Sequence, residues 1–262
     1  MEQITFLTGG ITSAQGFHAA GVEAGVKYAN RRDVALIWSD VPCVAAGVFT
    51  TNLVAAAPVV LDREKLSATP CARAIVVNTG CANACTGEQG LADARTIADA
   101  TADYLKIPSA EVLVSSTGVI GTLLPVDRII AGMKKAAGVL ARGADADEAA
   151  SRAIMTTDTL PKRAAVSVQI DGKTVTLGGM CKGAGMIEPM MATMLAYVTT
   201  DAAVDPAWLQ QTLKAAADVS FNRVVVDGDE STNDTLICLA NGQAGNNILN
   251  ASHPDAPAFA AA

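Results

Sequence analysis

Aromatic side chains are scarce in this 262-residue chain, at 4% of the total, so the core has to be built from Ala, Val, Leu, Ile and Met. Histidine occurs twice, as His18 near the start and His253 in a tail rich in Asn, Gly, Pro and Ala. Two remote histidines suit neither a Ser-His-Asp or Cys-His site nor a metal centre, and no metal is expected. Basic residues are outnumbered, 19 against 26 acidic, and form no stripe, so a nucleic-acid partner is not expected. The longest apolar runs, 34–38 and 190–198, fall far short of the ~20 residues that a membrane-spanning helix needs, which argues against a membrane partner. Met1-Glu2-Gln3 lacks the basic stretch and apolar core of a secretory signal, so a cytoplasmic location is expected. The six cysteines fit reduced thiols better than a disulfide framework, Cys81 and Cys85 included. There is neither a Gly-Lys-Ser/Thr phosphate loop nor a GxGxxG turn, hence no expected cofactor.

Half of the residues are hydrophobic, enough to bury the core of one large domain or two small ones. Short β-type runs alternate with Ala-rich helical stretches, the pattern of a mixed α/β protein. Strands are predicted at 34–38, 45–50, 58–61, 74–77 and 112–116, and helices at 88–106 and 126–140. The second half predicts a helix at 148–155, then a hairpin of 164–170 and 174–177 around Asp171-Gly172, a favoured two-residue turn. A strand at 191–199, a helix at 206–220 and strands at 223–226 and 235–240 follow. Residues 241–262 offer neither a strand nor an apolar helical face.

With histidine excluded, another base is required. The α-amino group of a residue exposed by internal cleavage qualifies, because its unperturbed pKa of ~7.7–8.0 lies near working pH. In residues 178–201, GGMCKGAGMIEPMMATMLAYVTTD, four glycines in eight residues surround Lys182, and a glycine loop there would bring Lys182 and main-chain N–H groups to a bound anion. Thr193 is the lone aliphatic hydroxyl of the apolar run 190–198. A single Thr in such a strand is ordinarily a satisfied core residue, and a glycine-flanked Lys is ordinarily a solvated turn. Thr117-Gly118 in VSSTGVIG is either an ordinary strand exit or a turn aiming a hydroxyl and an N–H at one spot, as an oxyanion hole requires. Thr156 in MTTDT caps a helix or lines a pocket. Residues 78–87, NTGCANACTG, fit N-capping by Thr86 as well as substrate contact.

Together, KGAGMIEPMMATML, STGVIG, MTTDT before Pro161-Lys162, NTGCANACTG, GVFTTN and DGDESTNDT closely resemble the arginine-biosynthesis ornithine acetyltransferase family, also called glutamate N-acetyltransferase, over about residues 16–242. The resemblance implies an α/β (mixed) fold of layered β-sheets and helices, of self-processing N-terminal-nucleophile type and not Rossmann. It implies cleavage between Ala192 and Thr193 into an α segment, 1–192, and a β segment beginning at 193 and represented here to 262. It assigns Thr193 as nucleophile, Thr117 and Gly118 as the oxyanion hole, and Thr156, Lys182 and Thr193 as substrate contacts. The implied reaction moves acetyl from N2-acetylornithine to glutamate through an acetyl-threonine, with acetyl-CoA as a possible further donor and an α2β2 assembly. Family members extend further, so the chain is expected to be truncated at its C-terminal side. Two alternatives stand beside this one: a self-processing aminopeptidase that passes the acyl group to water, and a non-cleaving fragment that only binds an amino acid.

Overall fold

The computed structural model describes residues 4–186 and 194–262. Its strands are β1 (Thr5–Leu7), β2 (Phe17–Val22), β3 (Val34–Phe49), β4 (Cys71–Cys81), β5 (Val112–Val119), β6 (Lys162–Ile170), β7 (Lys173–Lys182), β8 (Leu195–Thr200) and β9 (Thr235–Ala240). Its helices are α1 (Ala57–Ala68), α2 (Gly87–Leu105), α3 (Val126–Ala137), α4 (Ala144–Ala153), α5 (Pro206–Val219) and α6 (Ala256–Ala261). All nine strands join one mixed sheet in the order β1-β6-β7-β8-β9-β3-β4-β5, with β2 paired to β3. The β4–β5 and β8–β9 pairs are parallel and the others antiparallel.

The runs read as separate strands at 34–38 and 45–50 are one strand. The β3 ladder shifts register between Trp38 and Cys43; residues before the shift pair with β2, and Val44 to Phe49 pair with β9. A bulge of this kind lets one strand serve two neighbours on the same edge.

Period-two alternation sets the layers. Ala35 and Ile37 of β3, Leu113 of β5, Leu195 and Tyr197 of β8, and Ile237 and Leu239 of β9 enter a central core with Ala150 and Ala153 of α4. Their neighbours Val34, Leu36, Val112 and Val114 turn to the opposite face, where Ala94, Ile97, Ile129 and Met133 of α2 and α3 cover them. Ala196, Leu236 and Cys238 pack with Leu209 and Leu213 of α5. Rings are indeed marginal to this core, with Phe17 and Tyr197 the fully buried exceptions among the described residues.

Three predicted elements differ. Residues 58–61 open α1 instead of forming a strand, because Pro58 in the first turn loses no helical hydrogen bond. Residues 223–226 form no strand: a single 3₁₀ turn ends at Arg223, and Val224, Val225 and Val226 lie roughly half exposed. The tail is ordered, since α6 buries Ala256 and Phe259, and the Phe259 ring stands 5.8 Å from that of Trp208. The predicted hairpin is present, with Asp171 and Gly172 both at positive φ (51° and 70°), as a type I′ turn requires. Of the strand predicted at 191–199, residues 191–193 lie outside the described residues, and β8 begins at Leu195.

Candidate active site

At one end of the sheet, β4 and β5 run parallel, and Thr117 and Gly118 stand in register with Thr79 and Gly80. Gly118 has φ 135°, and a Cβ there would lie 2.3 Å from the Gly80 carbonyl carbon, so no other residue fits without moving β4. Thr117 is buried. Behind it, Ser116 Oγ donates to Asn78 Oδ1 (2.7 Å), and Asn78 Nδ2 donates to the Cys81 carbonyl (2.9 Å).

Thr156 follows α4, in the loop before β6. Arg31 donates to the carbonyls of both Met155 (2.5 Å) and Thr156 (2.7 Å), fixing that loop from the far side of the sequence. Asp158 ties the same loop to β7: it accepts from Gly183 N (2.9 Å) and from Thr156 N (3.3 Å) and pairs with Lys162. Burial pushes the Asp158 carboxyl upward, but the Lys162 ammonium and the two amides outweigh it and hold it below the usual carboxylate range.

Lys182 closes β7 and is only 2% exposed. Burial lowers its pKa to about 8, opposed by the charges of Asp158 and Asp234 and assisted by Lys162. Thr79, Thr117, Gly118, Thr156, Arg31 and Lys182 all line one cavity of about 370 Å³. The structure thus gathers Thr117, Gly118, Thr156 and Lys182 from three separate parts of the chain. Ala192 and Thr193 lie outside the described residues; the next residue, Met194, donates its amide to Asp234 Oδ1 at 2.7 Å.

Two local expectations change. Gly178 and Gly179 belong to strand β7 and not to a loop; a Cβ on Gly178 would sit 2.1 Å from the Gly10 carbonyl oxygen, so the small residue serves packing. Thr86 does not cap α2 with its side chain; its hydroxyl donates to Asn83 Oδ1 (2.8 Å) instead.

Neither histidine lines the cavity. His18 faces Asp40, and His253 Nε2 meets Asp171 Oδ2 at 3.2 Å. Asp171, His253 and Asp255 cluster, but His253 Nδ1 already accepts from the Asp255 amide, so Nε2 carries the proton and no ring lone pair faces the carboxylates.

Arg31, Asp158, Asn233 and Asp234 were given no role from sequence. Asp158 sits in MTTDT and the last two in DGDESTNDT, so the motifs held a signal; Arg31 had none, because its partners are 124 and 125 residues away.

Comparison with known proteins gives this arrangement relatives. An arginine biosynthesis bifunctional protein ArgJ from Symbiobacterium thermophilum is 56% identical over 243 residues, which is 92% of this chain and 60% of that protein. The chain therefore spans about 60% of the length of such curated relatives. The solved structure of ornithine acetyltransferase complexed with ornithine, from Mycobacterium tuberculosis, matches with a TM-score of 0.67 at 40% identity, covering 74% of this chain and 100% of that one. The L-aminopeptidase D-Ala-esterase/amidase of Ochrobactrum anthropi, a variant of the Ntn hydrolase fold, matches with a TM-score of 0.58 at 15% identity over 92% of this chain and 76% of its own, a likeness of fold alone. The layered α/β architecture anticipated from sequence is the one these neighbours share. Since the ArgJ family profile matches residues 18–262, nearly all of the sheet and every cavity residue named above, the chain belongs to the ArgJ family.

Proposed function

We propose that the protein transfers an acetyl group from N2-acetylornithine to glutamate, with Thr193 as the nucleophile. Thr193 Oγ first attacks the Ala192 carbonyl, the acyl group moves from nitrogen to oxygen, and water hydrolyses the ester to free the Thr193 amine. That amine then takes the Oγ proton as Oγ attacks the acetyl carbonyl of N2-acetylornithine. The Thr117 hydroxyl and Gly118 N–H receive the developing oxyanion. Collapse breaks the amide C–N bond, the proton passes to the departing ornithine amine, and acetyl-threonine remains. The glutamate amine attacks this ester by the reverse route, giving N-acetylglutamate and restoring the hydroxyl. Acetyl-CoA is a further candidate donor, and segments 1–192 and 193 onward form the α and β parts of an α2β2 assembly.

The observation that carries this reading is the shared 370 Å³ cavity, in which a hydroxyl, a glycine N–H strand end and a buried cation converge beside the start of β8. A buried lysine that lines the cavity suits a substrate carboxylate, and both amino-acid substrates carry one. The relative solved with ornithine supports the substrate class.

Denaturing mass spectrometry of the full-length protein tests the first step. Fragments meeting between Ala192 and Thr193 are expected, together with acetyl exchange between N2-acetylornithine and labelled glutamate. Thr193→Ala should abolish both. An uncut Thr193→Ala variant that still exchanges acetyl groups at the normal rate would overturn the mechanism.

A further inference from the structure

The start of β8 runs between two buried ionisable groups, Lys182 and Asp234. Leu195 pairs with Lys182 on β7 and with Thr235 on β9, so Lys182 and Asp234, the residue just ahead of β9, flank it from the two sides. Asp234 is fully buried. Its Oδ1 accepts the Met194 amide at 2.7 Å, while Oδ2 is buried with no hydrogen-bond partner among the described residues. The return bond, from Thr235 N to the Met194 carbonyl at 3.0 Å, means that both main-chain polar groups of Met194 are held by Asp234 and the residue after it.

The turn carrying Asp234 is bolted to the opposite wall of the cavity. Asn233 Nδ2 donates to the Ser116 carbonyl (2.8 Å) and to the Ala82 carbonyl (2.6 Å), and Ser116 immediately precedes Thr117. The Asp234 carbonyl accepts from Thr50 N (2.9 Å). One turn therefore links the strand that carries Thr117-Gly118 to the strand that begins two residues after Thr193.

We propose that Asp234 is a positioning residue for acetyl transfer: one carboxyl oxygen fixes the Met194 amide just ahead of β8, and in its ionised form Asp234 holds the Lys182 ammonium in the cavity. The role rests on the reaction proposed above and adds a residue to it. Burial raises Asp234 to about 8, against the Met194 amide, the Ser231 hydroxyl and the Lys182 charge, which lower it, and with Glu230, which raises it. Lys182 is faced by Asp158, Asp234 and Lys162, and its own value is about 8. Asp234 thus ionises over the same range in which Lys182 would otherwise lose its proton, and it extends the cationic range of Lys182.

Two variants separate charge from support. Asp234→Asn keeps an acceptor for the Met194 amide and removes the charge; Asp234→Ala removes both. In Asp234→Asn the basic limb of kcat/KM should move toward lower pH by about one unit, with processing retained. Asp234→Ala should also lose turnover by ~10-fold or more, through a misplaced β8 start. In parallel, the Lys182 titration is followed directly by carbon-13 NMR on labelled lysine, with Lys182→Arg used to assign the signal. It should shift the same way in Asp234→Asn, whether or not acetyl transfer occurs. An unmodified protein that transfers no acetyl group overturns the proposed function but leaves the titration as a test of the pair. An active protein whose Asp234→Asn variant keeps the wild-type pH profile and Lys182 titration overturns the positioning role. So does equal loss of rate in both variants with an unshifted profile.

Discussion

The two walls of the cavity are made differently. The β4–β5 wall carries no charge: Gly118 meets Gly80 at backbone contact, and Thr117 is held by its place in a parallel ladder. The opposite wall presents the buried ionisable side chain of Lys182 at the end of β7, with buried Asp234 behind it across the start of β8. A wall built by sterics keeps its geometry at any pH, whereas a wall built by buried ionisable groups is only as constant as their protonation. In the proposed reaction, stabilisation of the oxyanion falls to the first wall and recognition of the substrate carboxylate to the second.

Perturbing each wall should give distinct signatures. Gly118→Ala should have the largest effect, because the new Cβ would drive β5 off β4; turnover should fall on the order of 10³-fold at every pH. A variant with normal turnover would show that the close contact with Gly80 is not needed. Thr117→Ala removes one donor and leaves the backbone alone, so kcat should fall ~100-fold with KM and the pH profile unchanged. A pH-dependent loss would erase the distinction between the walls. Lys182→Met should raise KM for both substrates by ~10-fold or more and abolish the basic limb near pH 8, with a smaller effect on kcat. Steady-state kinetics with N2-acetylornithine and glutamate across pH 6–9 would sort all three.

The smallest effect sharpens the contrast through stability. Asp234 binds its proton up to about pH 8 in the folded chain but only to its ordinary 3.8 when unfolded. Between these values the native state holds more protons, so Asp234 makes the protein progressively less stable as pH rises from about 4 to 8. Lys182 acts above that window, where the unfolded chain holds the extra proton and stability recovers with pH from about 8 to 10.5. The Tm of Asp234→Asn minus that of the parent should therefore grow from pH 4 to 8. A constant difference would mean that Asp234 is ionised throughout.

Much of this was legible in the sequence where the signal is local. The Asp171-Gly172 hairpin follows from turn chemistry, and α2, α3 and α5 follow from helical spacing. Residues 58–61 and 223–226 misled because four apolar residues fit a strand, a helix turn or an exposed loop equally well, and only tertiary placement decides. The short strands β1 and β2 and the tail helix α6 left too weak a periodicity to read. In the cavity, Thr117, Gly118, Thr156 and Lys182 came from motif resemblance and converge in space. Arg31 and Asp234 did not, since what defines them is contact across 124 and 40 residues, which no spacing rule encodes.

The strand order has a consequence for a protein cut ahead of Met194. β8 and β9 lie between β7 and β3, so the later stretch of chain is interleaved with the earlier one on both flanks. Scission would sever a covalent link without releasing either product, since separation would have to unzip two ladders at once. The halves should migrate as one particle in native gels and part only in denaturant, and the new chain end would stay where the uncut peptide had held it.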